Sequence, residues 1–192
     1  GVVEWLRVMR NQPRSELDHR PDGDASGCRL LRKKRGVLKE VQAAFRARTV
    51  KKNYALIVDD VWPKKARTVQ HRLLRYVTDW GERRVRVDPQ GQVARTDFQI
   101  TDTAPTATLL QATLHTGRTH QIRVHAQHQG HSILGDTKYG QKQRGHASHQ
   151  IERLCLHAAR LVVPVGSDRL DVSAPMEATM DEIWARLKAT RV

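Results

Sequence analysis

Two short segments concentrate side chains able to do chemistry. The first, His19-Arg20-Pro21-Asp22-Gly23-Asp24-Ala25-Ser26-Gly27, packs two carboxylates, an arginine, a histidine and two glycines into nine residues. Asp and Gly are also common turn formers, so the composition has two readings: an ordinary turn, or an aspartate presented as nucleophile or base beside a cation. The second runs from Thr116 to His125, Thr-Gly-Arg-Thr-His-Gln-Ile-Arg-Val-His, and reads as a strand end, a glycine turn and a polar helix start. Such a start offers free N–H groups, and the guanidiniums of Arg118 and Arg123 can hold a phosphate or lock a carboxylate. A solvated basic helix is the other reading. The ten histidines invite a metal, but His120 with His125, the group His125, His128 and His131, and the pair His146 and His149 lack a metal-binding spacing. No metal site is expected, and Cys28 and Cys155 are expected to be packing residues or inert thiols.

The elements that must position these segments can be read from periodicity. Val2, Val3, Leu6 and Met9 suit a short helix, interrupted at Asn11-Gln-Pro13. Val37, Leu38, Val41 and Phe45 mark a second, amphipathic helix with a basic outer face, and Tyr54–Val58 a buried strand. Period-two alternation on both sides of Asp88-Pro-Gln-Gly91 predicts a hairpin over 84–100. Thr108–His115 is a further strand, after which Thr119 can cap a short helix carrying His120, Gln121, Arg123 and His125. Strands are expected over 154–163 and 170–174. Met180, Ile183, Trp184 and Leu187 fall at helical spacing, and the polar run 141–150 reads as a mobile surface loop. Helices and strands do not alternate strictly, so the expected class is α+β with a mixed, mainly antiparallel sheet in one domain.

Charge narrows the partner. Among 192 residues, 34 basic and 20 acidic side chains leave a net charge of +14, which suits a polyanion. The runs 32–35, 46–52, 64–67 and 83–84 would supply backbone affinity through counterion release. The 39% hydrophobic content can build one core, but no apolar run approaches the ~20 residues needed to cross a bilayer. An opening without signal-peptide character and the sparse cysteines suit a cytoplasmic, reducing setting.

Together the two segments resemble the RluA/RluC family of RNA pseudouridine synthases. His19-Arg20-Pro21-Asp22…Ser26-Gly27 is similar to the family's His-Arg-Leu-Asp-x-x-Thr-Ser-Gly, with Pro21 for leucine and Ala25 for threonine. Lys52-Asn53-Tyr54 resembles its Lys-x-Tyr motif, and Gly117–His125 its Gly-Arg-Thr-His-Gln-Ile-Arg-Val-His motif without change. Gly130–Gly140 and Arg153–Ala158 resemble two further family signatures, in the expected order.

The resemblance implies that the pseudouridine synthase catalytic fold occupies residues 1–192, lacking its first strand or strands and the RNA-binding S4 domain. Such a loss would leave an open sheet edge unless covered. It also implies isomerisation of uridine in RNA, large-subunit (23S) ribosomal RNA above all, without cofactor or metal, by a monomer. Asp22 would be the nucleophile, Arg123 its cationic partner, and Tyr54 the ring against the target base, its hydroxyl an acceptor for the C5 proton. Arg20 would fill the space left by the extruded nucleotide, with His19, Arg118, His120 and Gln121 contacting RNA. The departures at Pro21 and Ala25 leave open a catalytically silent RNA-binding module of the same fold.

Overall fold

The computed structural model describes residues 16–17, 22–32, 35–65, 67–140 and 151–190. The helix expected over 2–9 and the loop expected over 141–150 lie outside them, as do His19, Arg20 and Pro21. The chain forms β1 (Glu16–Leu17), β2 (Ser26–Gly27), β3 (Leu31–Arg32), α1 (Arg35–Arg46), β4 (Lys51–Asp59), β5 (Thr68–Val77) and β6 (Arg83–Val87). It continues through β7 (Gln92–Ala104), β8 (Ala107–Leu114), α2 (Gln121–His128), β9 (Leu156–Val165), β10 (Asp168–Ser173) and α3 (Ala178–Ala189). This is the expected α+β class: the main sheet runs β10-β9-β4-β8-β7-β5-β6, each neighbouring pair antiparallel, with β2 added parallel to β9.

The sheet's centre carries the core. Leu56, Ile57 and Val58 of β4, Leu110 and Ala112 of β8, Phe98 of β7 and Leu156 of β9 are all buried in one cluster. β4 is buried at consecutive positions because structure covers both its faces. Within it, Lys52, Tyr54 and Leu56 alternate onto one face, as the two-residue repeat of a strand requires. Val41 and Ala44 of α1 pack on Leu161 and Val163 of β9. Met180, Ile183, Trp184 and Leu187 of α3 are buried at the predicted helical spacing.

Two expectations are corrected. β6 and β7 form no hairpin with each other; both pair antiparallel with β5, Val87 and Gln92 each lying opposite Leu73. The hairpin is β5–β6, closed by a turn at 78–82, where the Thr78 carbonyl accepts the Gly81 N–H at 2.8 Å. The pattern over 68–77 was obscured by Arg72 and Arg75 and by the adjacent pair Leu73-Leu74, so β6 and β7 had only each other as apparent partners. The helix start also differs. The N-cap of α2 is His120 in the left-handed region (φ 51°), with no side-chain cap bond, not Thr119. The preceding loop is held from inside the helix by Gln121, whose Oε1 accepts from the Thr116 hydroxyl (2.7 Å) and the Arg118 N–H (3.1 Å).

Candidate active site

Strand β2 carries the first chemical segment to the sheet. Ser26 and Gly27 lie opposite His157 and Ala158 of β9. The Cys28 N–H donates to the Ala158 carbonyl at 2.8 Å, and the Ser26 hydroxyl meets His157 Nδ1 at 2.9 Å. His157 Nε2 faces the Ala174 carbonyl at 3.2 Å, which can only accept. Nε2 therefore carries a proton. Gly27 has a φ of 94°, and a Cβ there would strike the Ala158 carbonyl, so this close backbone approach requires glycine. Just before it, the Ala25 N–H donates to the Asp22 carbonyl at 3.0 Å, closing a turn. Ala25 itself is buried in the core, where a small side chain fits.

That turn aims Asp22 at Arg123 on α2. Arg123 Nη1 donates to Asp22 Oδ1 at 2.9 Å and Oδ2 at 2.8 Å, and to the exposed Asp24 at 3.1 Å. Its Nε and Nη2 donate to the two oxygens of Asp136 at 2.8 and 2.7 Å, a parallel fork. The side chains of Arg123 and Asp136 are each 1% exposed, and that of Asp22 is 9% exposed. Burial works against the Arg123 cation, but the hydrogen bonds and charge of Asp136, then of Asp22, outweigh it and raise its proton affinity further. It is a fixed positive charge.

Asp136 is placed by its own loop. Its Oδ1 also accepts the N–H groups of Lys138 and Tyr139, both at 2.9 Å. The Tyr139 ring lies under the guanidinium, 5.3 Å from Cζ to centroid. The Tyr139 hydroxyl accepts the Val85 N–H at 3.0 Å and meets His120 Nδ1 at 2.7 Å. With its oxygen already accepting, the phenol donates to Nδ1, which leaves the His120 proton on Nε2, 3.9 Å from Asp22 Oδ2. Burial first, then Arg123 and Lys138, lower the proton affinity of His120 against the opposing pull of Asp22, which favours the neutral ring.

These groups open into a cavity of about 870 Å³ lined by Asp22, Lys52, Tyr54, Arg118, His120 and Arg123, with Arg75, Arg83, Arg84 and Lys138 adding positive charge. Burial, then the negative charge of Asp22, then Cys28, push the Tyr54 hydroxyl up to about 12, so it is a neutral phenol near pH 7. Lys52 is buried too, and burial alone lowers its proton affinity. The arrangement offers a carboxylate paired with a permanent cation, an aromatic ring and a cationic mouth.

Of the expected site residues, the structure brings Asp22, Tyr54, Arg123, Arg118 and His120 together. Gln121 is corrected. It is 2% exposed, and its amide nitrogen donates to the Arg95 carbonyl and the Thr96 hydroxyl, both at 2.9 Å. With its carbonyl also engaged it has no group left for RNA; it fastens the 116–118 loop to β7. Asp136, Tyr139 and Lys52 were not singled out as site residues. The Gly-Asp-x-x-Tyr and Lys-x-Tyr runs that contain them were the available signal. Among the described residues no group of three His, Cys, Asp or Glu side chains is placed to hold a metal ion, and no helix is long and apolar enough to cross a membrane.

Comparison with known proteins gives the same direction. Residues 9–128 match the family model described as RNA pseudouridylate synthase. The chain is 41% identical over 193 residues to the ribosomal large subunit pseudouridine synthase C of Vibrio cholerae, covering 98% of this chain and 60% of that one. It is 37% identical over 198 residues to the Escherichia coli protein of the same name, covering 100% of this chain and 62% of that one. The chain thus spans about three fifths of these relatives' length. A solved structure of human RNA pseudouridylate synthase domain containing 4 superposes with a TM-score of 0.78 at 25% identity, over 97% of this chain and 81% of that one.

Proposed function

Because this chain belongs to the RNA pseudouridylate synthase family, we propose that it isomerises uridine to pseudouridine in RNA, with large-subunit ribosomal RNA as substrate and Asp22 as nucleophile. The observation that carries this reading is the Asp22–Arg123 pair, joined across 101 positions of sequence at 2.8 and 2.9 Å on a cavity wall. A uridine in folded RNA is out of reach of Asp22, so the nucleotide must be turned out of its stack at a cost of roughly a few kcal/mol. The basic mouth can recover that cost through phosphate contacts, with Arg118 and His120 lining the same cavity as Asp22.

The ionised Asp22 attacks the nucleotide, the N1–C1′ bond breaks, the base turns, and C1′ joins C5. The proton displaced from C5 leaves, N1 gains a proton, and the carboxylate is released, so nothing is oxidised or reduced and no cofactor is required. Arg123 acts by pairing with Asp22 and orienting it. Tyr54 enters as a neutral phenol packed against the base. Burial and the charge of Asp22 keep the phenol protonated at the start; it gives that proton to N1 and takes the C5 proton in its place, so Tyr54 ends neutral, as it began.

The test uses RNA transcribed with tritium at C5 of uridine, since forming the C5–C1′ bond expels that label. The wild-type protein should release tritium and produce pseudouridine, whereas Asp22→Ala should bind the RNA and release none. Release surviving in Asp22→Ala, or a folded wild type inert on all ribosomal RNA, would overturn the assignment. We propose likewise that residues 1–192 act as one catalytic domain, as a monomer in the cytoplasm; sedimentation reads the oligomeric state.

A further inference from the structure

The cavity rim carries a feature that phosphate contacts do not use. At the tip of the β5–β6 hairpin the Trp80 side chain stands 75% exposed, and Val77 beside it is 62% exposed. Tryptophan is highly buried on average, and leaving so much apolar surface in water costs free energy unless something covers it. Among the described residues, Trp62 and Trp184 are both buried.

The tip is rigid. Thr78 donates its N–H to the Glu82 carbonyl (2.9 Å), accepts the Gly81 N–H on its carbonyl (2.8 Å), and accepts the Glu82 N–H on its hydroxyl (3.0 Å). Gly81 takes a φ of 83° to close the turn. The hairpin is also bolted to the catalytic loop. Glu82 pairs with Lys138 at 3.1 Å, Arg84 Nη1 donates to the Lys138 carbonyl at 2.9 Å, and the Val85 N–H donates to the Tyr139 hydroxyl at 3.0 Å. Lys138 and Tyr139 in turn donate their N–H groups to Asp136, which holds Arg123. The turn that carries Trp80 is thus tied, through Lys138 and Tyr139, to the carboxylate that holds Arg123. The neighbours of Trp80, Val77, Gly81, Arg83 and Arg84, line the cavity, with the acidic Asp79 exposed at the turn.

Resting on the proposed function, we infer that Trp80 is a stacking platform for an unpaired base next to the target uridine. The occupant follows from the chemistry. A large flat apolar ring among arginines suits a planar base carrying a phosphate on either side, and every base has a face to stack whatever its sequence. A rigid tip binds with less ordering cost than a flexible one. Stacking there would hold the neighbouring nucleotide out of the helix and keep the target uridine turned toward Asp22, making Trp80 a determinant of which RNA shapes are accepted.

The experiment measures intrinsic tryptophan emission and affinity together, in an Asp22→Ala background so that no turnover intervenes. The probes are a hairpin RNA with a uridine-rich loop and a fully paired duplex of equal length. The loop RNA should quench emission and the duplex should quench it much less, and Trp80→Phe should remove most of the difference. Trp80→Ala should weaken loop-RNA binding roughly five- to 150-fold with the same salt dependence, whereas Arg83→Ala should lower the salt slope. Loop RNA bound with Trp80 emission unchanged and with Trp80→Ala affinity equal to the parent overturns this inference alone. RNA that fails to bind the wild type overturns the proposed function as well. A dimer that dissociates on Trp80→Ala assigns the tip to self-association instead.

Discussion

Asp136 should control the reaction without touching the RNA, and Asp136→Asn is the sharpest perturbation. In the wild type this carboxylate accepts Arg123 Nε and Nη2 and two backbone N–H groups. Asparagine can keep an oxygen at the Oδ1 position, which serves three of those four donors, but it places an NH₂ group against the Arg123 Nε–H. One charge-assisted hydrogen bond, worth about 1.5–3 kcal/mol, is replaced by two opposed donors. Breaking a buried ion pair outright costs about 3–5 kcal/mol. Arg123 retains Asp22 and Asp24 through Nη1, so the expected loss of stability lies between those two figures, about 2–4 kcal/mol by urea unfolding.

The catalytic effect has a separate cause. In the proposed reaction Asp22 loses its charge on attachment to the nucleotide, and in the wild type Asp136 would keep the buried guanidinium paired through that step. In Asp136→Asn the exposed Asp24 is the carboxylate left at that step, and a guanidinium held by one oxygen of residue 136 instead of two lets Nη1 and Asp22 shift together from their aligned position. A displacement of about 1 Å is enough for roughly a hundredfold loss. Tritium release under single-turnover conditions should therefore slow roughly 10²–10³-fold. The Kd for RNA should stay within about twofold, since Arg123 and Asp136 are each 1% exposed. Asp22→Asn, which leaves the fork intact, should unfold at nearly the wild-type urea concentration. The reasoning fails if Asp136→Asn turns over within about threefold of wild type, or if Kd and rate fall together.

Tyr54→Phe should leave RNA binding intact and slow tritium release by roughly 10²–10⁴-fold, the range for a lost acid–base group; a variant as fast as wild type would confine Tyr54 to packing. Gly27→Ala should cost at least about 2 kcal/mol, because an alanine is strained at a φ of 94° and its Cβ meets the Ala158 carbonyl. It should also abolish turnover by detaching the Asp22 turn from β9, and an active, equally stable variant would refute this. His125 is fully buried, with Nε2 lacking a partner among the described residues, and burial, then His71 and His128, lower its pKa from 6.5 to about 4. The unfolded chain then takes up the proton first, so the stability His125 contributes is complete above about pH 6.5 and is lost as pH falls toward 4, roughly 3 kcal/mol in all. The difference in unfolding free energy between wild type and His125→Asn should shrink by that amount between pH 7 and 4; a difference independent of pH would contradict it.

The sequence made the Asp22–Arg123 pair readable and left its support hidden, for a physical reason. Asp22 and Arg123 belong to runs whose residue types recur together, so their identity could be transferred even though nothing local says that positions 101 apart will meet. Gln121 shows the opposite case. A polar side chain in the first turn of a basic helix has the same pattern whether it faces a ligand or the protein, and only the positions of Thr96, Arg95 and Thr116 decide that it faces inward. Periodicity likewise located β6, β7, β9 and α3 to within a few residues, yet pairing is a non-local property. Residues 88–91 carry turn chemistry, with the Gly91 N–H donating to the Asp88 carbonyl at 2.9 Å, but they connect two strands that both use β5.

The support also explains how one arginine can be surrounded by three carboxylates beside a cavity whose mouth is positively charged. Asp136 is bound on every side and shielded from the cavity by Arg123, so its charge acts on the guanidinium rather than on RNA. Asp24 is largely exposed and screened by solvent. Asp22 is the carboxylate that is both partly buried and open to the cavity, and Lys52, Arg75, Arg83, Arg84 and Arg118 around that opening outnumber it. An incoming phosphate therefore meets a positive rim before it meets the nucleophile. Reversing the rim with Arg83→Glu and Arg118→Glu should weaken RNA binding and its salt dependence while leaving Asp22 and Arg123 paired. A double variant with wild-type affinity at low salt would place the RNA on some other face.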